Sequence, residues 1–211
     1  DSGTGTLREC LGQSIAGETI LFDPEIFLPQ KPATITLENP LPDLDDGSVT
    51  VDASNAGVIL DGQQQVSSGL RITSSYNTIM GIQFINFTMD GITLEFPGQY
   101  NQIGGDHFLG NGPSGQGNVF TGNTNGIRVL YSRFNTIKGN FVGTNAKGTE
   151  AGRLNSIGIV LNNFATHNTI GGAAAGEKNI VSNNDRGIDI ASNSATNNIV
   201  AGNYIGTDVT G

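Results

Sequence analysis

The residues with the best types and spacing for chemistry lie in "NNDRGIDI", where Asp185 and Asp189 flank Arg186. Two carboxylates four positions apart could donate oxygens to a calcium ion. Asn183, Asn184 and loop carbonyls would then supply the several further ligands that calcium takes. A polysaccharide lyase would instead need a base such as Arg128 or Arg186 with a lowered pKa, and nothing in the sequence shows one. The plainer reading is a surface ion pair at a turn, and it is preferred. No residue is therefore assigned a catalytic role. Arg128, Asp185, Arg186 and Asp189 stand as ligand-binding candidates. Asp185 and Asp189 are also weak calcium candidates; no cofactor is expected other than calcium at that place.

The remaining reactive residue types point away from catalysis. Asp45-Asp46 in "LPDLDDGSVT" reads as a solvated acidic turn before a strand. His107 and His167 have no nucleophile at a recognised spacing, and two unlinked histidines do not make a zinc site. "GGDHFLGNG" and "GPSGQG" lack the Lys-Ser/Thr of a phosphate loop. Residues 106–117 form the longest insertion between matched strands, where a projecting loop would carry specificity. Cys10 is the single cysteine, so no intramolecular disulfide can form; it is expected to be a small buried hydrophobe. The net charge of −9 and the lack of a basic cluster argue against a nucleic-acid surface. No apolar run has transmembrane length.

What must position these residues is a repeat. Charged residues make up only 14 % of the 211, against about 25 % in ordinary domains. Glycine contributes 31 positions, and short Val/Ile/Leu/Phe runs recur between them. From Asn77 onward one template aligns most of the chain: Asn, any, hydrophobe, any, Gly, then Asn, any, hydrophobe, a turn, and Gly-hydrophobe-any-hydrophobe. The first Asn falls at Asn77, Asn101, Asn135, Asn168 and Asn198. The second falls at Asn118, Asn140, Asn179 and Asn203, with Ile82 in the earliest copy. The third segment begins at Gly91, Gly126, Gly158 and Gly187, with Gly69 a plausible earlier member. These segments are too short for helices and alternate as strands do. Short strands at a repeating period, separated by Gly and Asn corners, give a parallel β-helix.

Coils stacked about 4.8 Å apart would let an inward Asn at each corner bond to the Asn above and below. Asn also tolerates the left-handed backbone of such corners. Both Asn columns are thus expected to be structural ladders. In the third strand, the outward columns read Arg71, Thr93, Arg128, Val160, Asp189 and Thr73, Glu95, Leu130, Asn162, Ala191. Glu95 and Asp189 would sit roughly 14 Å apart across three coils. Sugar hydrolases generally need two carboxyls about 5 to 9.5 Å apart, so these columns predict no such pair.

The whole chain reads as one all-β domain with an N-terminal helical cap. "TLRECLGQSIAG" places Leu7, Leu11 and Ile15 on one helical face. Residues 1–20 would cap the first coil, shielding its open edges. Residues 21–76 would form irregular first coils punctuated by Pro-rich turns, and residues 77–211 the regular coils, the last incomplete. The opening "DSGTG" looks like a mature or trimmed start. The unfinished last copy suggests either truncation, the more ordinary reason, or stacking on a partner.

"GTLREC", followed by "ETILFDP", "ATITLENPLP" and "SVTVDAS", resembles the CSLREC-type N-terminal region of bacterial parallel β-helix proteins. "GNFVGTNAKGTEAG", "GNVFTGN" and "GNYIGTDVTG" are similar to the repeats of that group, itself broadly similar to pectate-lyase-like β-helices. Gly5 stands where the pattern often begins with Cys, which excludes a disulfide from that position to Cys10. The resemblance implies a right-handed parallel β-helix, secreted or on a cell surface; right-handed crossovers are also the general preference. The expected function is a non-catalytic extracellular module: a rigid spacer, an adhesin or a self-assembling unit. The alternative is a carbohydrate-active protein that binds glycans or cleaves polysaccharide. Partners would be extracellular polysaccharide, other surface proteins or further copies of the chain, end to end.

Overall fold

Each short strand carries one or two inward hydrophobes between polar outward neighbours, and each corner is cut by Asn or Gly. The computed structural model describes residues 3–211; the first two positions of the expected cap and the opening "DS" lie outside the described residues. Three parallel sheets result. The first stacks Thr19–Leu21, Thr50–Asp52, Thr78–Met80, Gln102–Ile103, Thr136–Ile137, Thr169–Ile170 and Ile199–Val200. The second stacks Ala33–Thr36, Val58–Asp61, Ile82–Ile85, Val119–Thr121, Phe141–Val142, Ile180–Val181 and Tyr204–Ile205. The third stacks Ser68–Ile72, Asp90–Glu95, Asn125–Leu130, Asn155–Asn162 and Asn184–Ile190. In every sheet a strand pairs with its counterpart one coil away, so the chain is a parallel β-helix of seven coils. The first and last coils lack a third-sheet strand; Leu44 supplies a single bridge to Ile72 in the first.

The registers align the core in columns. Val51, Ile79, Ile103, Ile137 and Ile170 stack in the first sheet, and Leu60, Phe84, Phe120, Val142 and Val181 in the second. Leu70, Ile92, Ile127 and Ile159 stack in the third. All are buried. Each contributes about 1.5–3 kcal/mol relative to an exposed side chain. The third-sheet glycines are required by close approach. A Cβ on Gly69, Gly91, Gly126 or Gly158 would lie 2.6–2.7 Å from the carbonyl oxygen of the next glycine in the column.

From the fourth coil onward each strand is entered through an asparagine rung, and in the first sheet the rungs begin one coil earlier. Asn77 accepts from the Val49 N–H, and the backbone N–H of Asn77, Asn101, Asn135 and Asn168 each donates to the Oδ1 of the next rung, ending at Asn198. The second column begins at the Ile82 N–H and runs through Asn118, Asn140 and Asn179, whose Nδ2 reaches Asn203. A third column lies at the corner before the third sheet. It starts at the Phe87 N–H and passes through Asn123 and Asn155 to Asn184. These rungs satisfy amides that would otherwise be buried without partners.

The N-terminal helix, α1, spans Leu7–Gln13. Thr6 caps it by accepting from the Glu9 N–H, and Leu7 and Leu11 are buried. Ile15, expected on the same face, falls beyond the helix and is exposed, because the backbone turns extended at the C-cap Ser14. Cys10 is half-buried rather than fully enclosed. Arg8 ties α1 to the first coil through the Asn39 and Pro40 carbonyls.

The insertion at residues 106–117 lies flat instead of projecting. Gly112 N–H donates to the Ser54 carbonyl, and His107 N–H to the Gly176 carbonyl. The segment is a strap from the second coil to the sixth. His107 packs between Phe108 and Phe141, and neither ring nitrogen has a hydrogen-bond partner.

Candidate functional site: an aromatic-walled cleft

The turn from the third sheet into the next coil has a constant form. Its five copies read "TSSYN", "FPGQYN", "YSRFN", "FATHN" and "SATNN". The small residue before the polar position braces the corner from inside: Ser74 Oγ donates to the Leu44 carbonyl and Ser132 Oγ to the Gly98 carbonyl. The final Asn is a ladder rung. The residue just before it is thereby forced outward in a left-handed conformation, with φ of 66° at Tyr76, 56° at Tyr100, 58° at Phe134, 58° at His167 and 58° at Asn197.

Four of these five residues carry rings, and the rings stack along the solenoid. Tyr76 and Tyr100 lie 5.2 Å apart, Tyr100 and Phe134 5.0 Å, and Phe134 and His167 5.1 Å. Asn197 continues the column with a 3.3 Å contact to His167 Nε2. On the other side of the polar position stand Phe96, Tyr131 and Phe164, all exposed, with Tyr131 and Phe164 stacked at 6.1 Å. Tyr131 and Phe164 are also left-handed, at φ 53° and 56°.

Between these columns runs the polar one: Gln99, Arg133 and Thr166, joined by parallel bridges. Its backbone is already engaged. The N–H groups of Tyr76, Tyr100 and Phe134 donate to the carbonyls of Gln99, Arg133 and Thr166. Its side chains face an open cleft of ≈600 Å³, walled by Phe96, Tyr131 and Phe164 with Glu95 at one end. That volume suits a small-molecule or single-chain ligand. Arg133 Nε donates to Gln99 Oε1 at 3.2 Å, and its guanidinium lies over the Phe134 ring. Among the described residues Arg133 has no carboxylate partner.

The adjoining outer face of the third sheet is closed by ion pairs. Arg71 bridges Glu95, at 2.8 Å, and Asp43. Asp90 is fully buried, accepting from Thr93 Oγ1, Asn125 Nδ2 and Arg128 Nη2, all at 2.7 Å. The column of Arg71, Thr93, Arg128, Val160 and Asp189 is in register. Thr93 and Val160 are nonetheless buried, in a column whose flanking arginines are drawn into ion pairs.

The four candidates from the sequence do not converge. Arg128 pairs with Asp90 and is separated from Asp189 by the Val160 coil, roughly 10 Å in strand spacings. Arg186 pairs with Asp189 within its own strand, while Asp185 is exposed. Asn184 is committed to the ladder, donating to the Val142 and Ser182 carbonyls. Among the described residues no three His, Cys, Asp or Glu side chains gather as a metal site. No helix among them is long and apolar enough to cross a membrane. The aromatic before the first Asn in "YN", "YN" and "FN" is the sequence signal of the ring column beside the cleft, which no single motif reveals.

No family model, no curated protein and no solved structure matches the chain.

Proposed function

We propose that the protein is a non-catalytic extracellular or cell-surface β-helix module that holds an extended carbohydrate chain in the aromatic-walled cleft. The observation that carries this is the placement of bulky rings at left-handed positions: Tyr131 and Phe164 in the cleft wall, and, on the other side of the polar column, Tyr76, Tyr100, Phe134 and His167 in four successive coils. In the last coil Asn197 takes the place of the latter four and tolerates that backbone at little cost. A ring held in a sparsely populated backbone region costs of order 1–3 kcal/mol. Ring stacking returns only about 0.5–1.5 kcal/mol per pair. Rings kept at such positions point to a role for the rings themselves.

The chemistry of the cleft favours sugar over peptide. A peptide adds to an edge through free backbone groups, and here the backbone of the polar column is spent within the solenoid. Exposed ring edges, a tyrosine hydroxyl, an amide, a guanidinium and a threonine hydroxyl suit the hydroxyl-rich flank of a glycan. Glu95 and Asp43 are bound to Arg71 and Asp90 is buried, which supports binding without cleavage. The test is a glycan panel, read for binding and product, with Tyr131→Asn and Phe164→Asn variants. Binding by the parent chain, no product, and at least tenfold weaker binding by folded variants are expected. Turnover, or binding equal in parent and variants, would sink the proposal.

A further inference from the structure

Resting on the carbohydrate reading, we infer that the cleft selects a neutral glycan over an acidic one and registers it at about one ring per coil. The polar column supplies the charge argument. Across five coils it reads Ser75, Gln99, Arg133, Thr166 and Thr196, a single cation. A polyuronate or sulfated chain carries a charge on most rings, so most of its charges would meet a hydroxyl or an amide. Arg71, the guanidinium that pairs with the cleft-lining Glu95, is also held by Asp43. The formal charges of Arg133, Arg71, Glu95 and Asp43 sum to zero. The net charge of −9 adds a repulsive background for any polyanion.

The spacing supplies the register. Coils advance about 4.8 Å, close to the advance of one pyranose ring in an extended chain. The walls Phe96, Tyr131 and Phe164 recur once per coil, so each coil presents one ring edge and one polar side chain to each sugar. Arg133 then acts as a hydrogen-bond donor to hydroxyls, not as an anion receptor.

Calorimetric titration of the intact chain tests this with neutral β-1,4-linked hexasaccharides of glucose, mannose and xylose beside hexagalacturonate and a heparin hexasaccharide. At least one neutral ligand is expected to bind tenfold or more tightly than either acidic one. Its affinity should be the same at low and high salt, since no counterions are released. Affinity should rise with chain length to about three rings, one for each coil that lines the cleft, and stay flat beyond. Arg133→Gln should weaken it about three- to tenfold. Tighter binding of an acidic ligand, or a steep salt dependence, overturns the inference and leaves the carbohydrate reading standing. Binding of neither class removes that reading and the inference with it.

Discussion

At the residue scale, the asparagines carry more of the structure than their polarity suggests. Asn140 Oδ1 accepts from both the N–H and the Nδ2 of Asn118, and its own Nδ2 donates to the Ile103 carbonyl and Asn179 Oδ1. Asn140→Ala would leave several buried groups unpaired, each costing about 1–3 kcal/mol. A loss of about 3 kcal/mol or more is expected in urea denaturation. Asn203→Ala, at the exposed end of the same column, should lose about 1 kcal/mol because water can replace its bonds. Equal effects would contradict a cooperative ladder. The Asn repeat made two of these columns legible in the sequence. The third escaped because Asn123, Asn155 and Asn184 precede the glycine at a spacing the template did not include.

At the scale of the element, the third-sheet strand is governed by its glycine. A Cβ on Gly126 would lie 2.6 Å from the Gly158 carbonyl and 3.0 Å from Val142 Cγ1. On Gly187 the nearest atom is Ile205 Cγ2, at 3.3 Å. Gly126→Ala should therefore cost about 2 kcal/mol or more as overpacking, and Gly187→Ala well under half of that. Thermal unfolding of the pair measures the difference. The outward columns of this strand were readable from alternation alone, and the pairings place them in register. Their burial was not readable. Thr93 and Asp90 are enclosed by their surroundings, where Asp90 is held by Arg128, a contact between coils that alternation cannot reveal.

At the scale of the molecule, the strap of residues 106–117 ties distant coils and makes stability sensitive to pH. Burial lowers the pKa of His107, against a weaker opposing pull from the Asp106 carboxylate. The unfolded chain therefore binds a proton at higher pH than the folded one. Stability is fully present above the ordinary histidine value. It falls as pH drops below about 6.5, and levels off once the folded-state pKa is passed. His107→Phe should flatten the melting temperature between pH 7.5 and 5.5. The carboxylate of Glu177, lowered chiefly by its hydrogen bond from Lys138, contributes only in a more acidic window. A His107→Phe profile parallel to that of the parent would show that the strap does not titrate through this ring.

The sequence alone determined the solenoid, because a coil is a local object: alternating hydrophobes make its strands, and Asn and Gly make its corners. Their recurrence at matching positions dictates stacking. It also bounded the chemistry, since the reactive residue types are few and scattered. Which side chains meet across coils was decided only in three dimensions. Insertions of different length separate residues that stack directly, so Phe96, Tyr131 and Phe164 form one wall from positions 35 and 33 residues apart. The same stacking paired Arg128 with Asp90 and laid the 106–117 insertion against the body. A cleft of this kind exists only between coils, and no single repeat contains it.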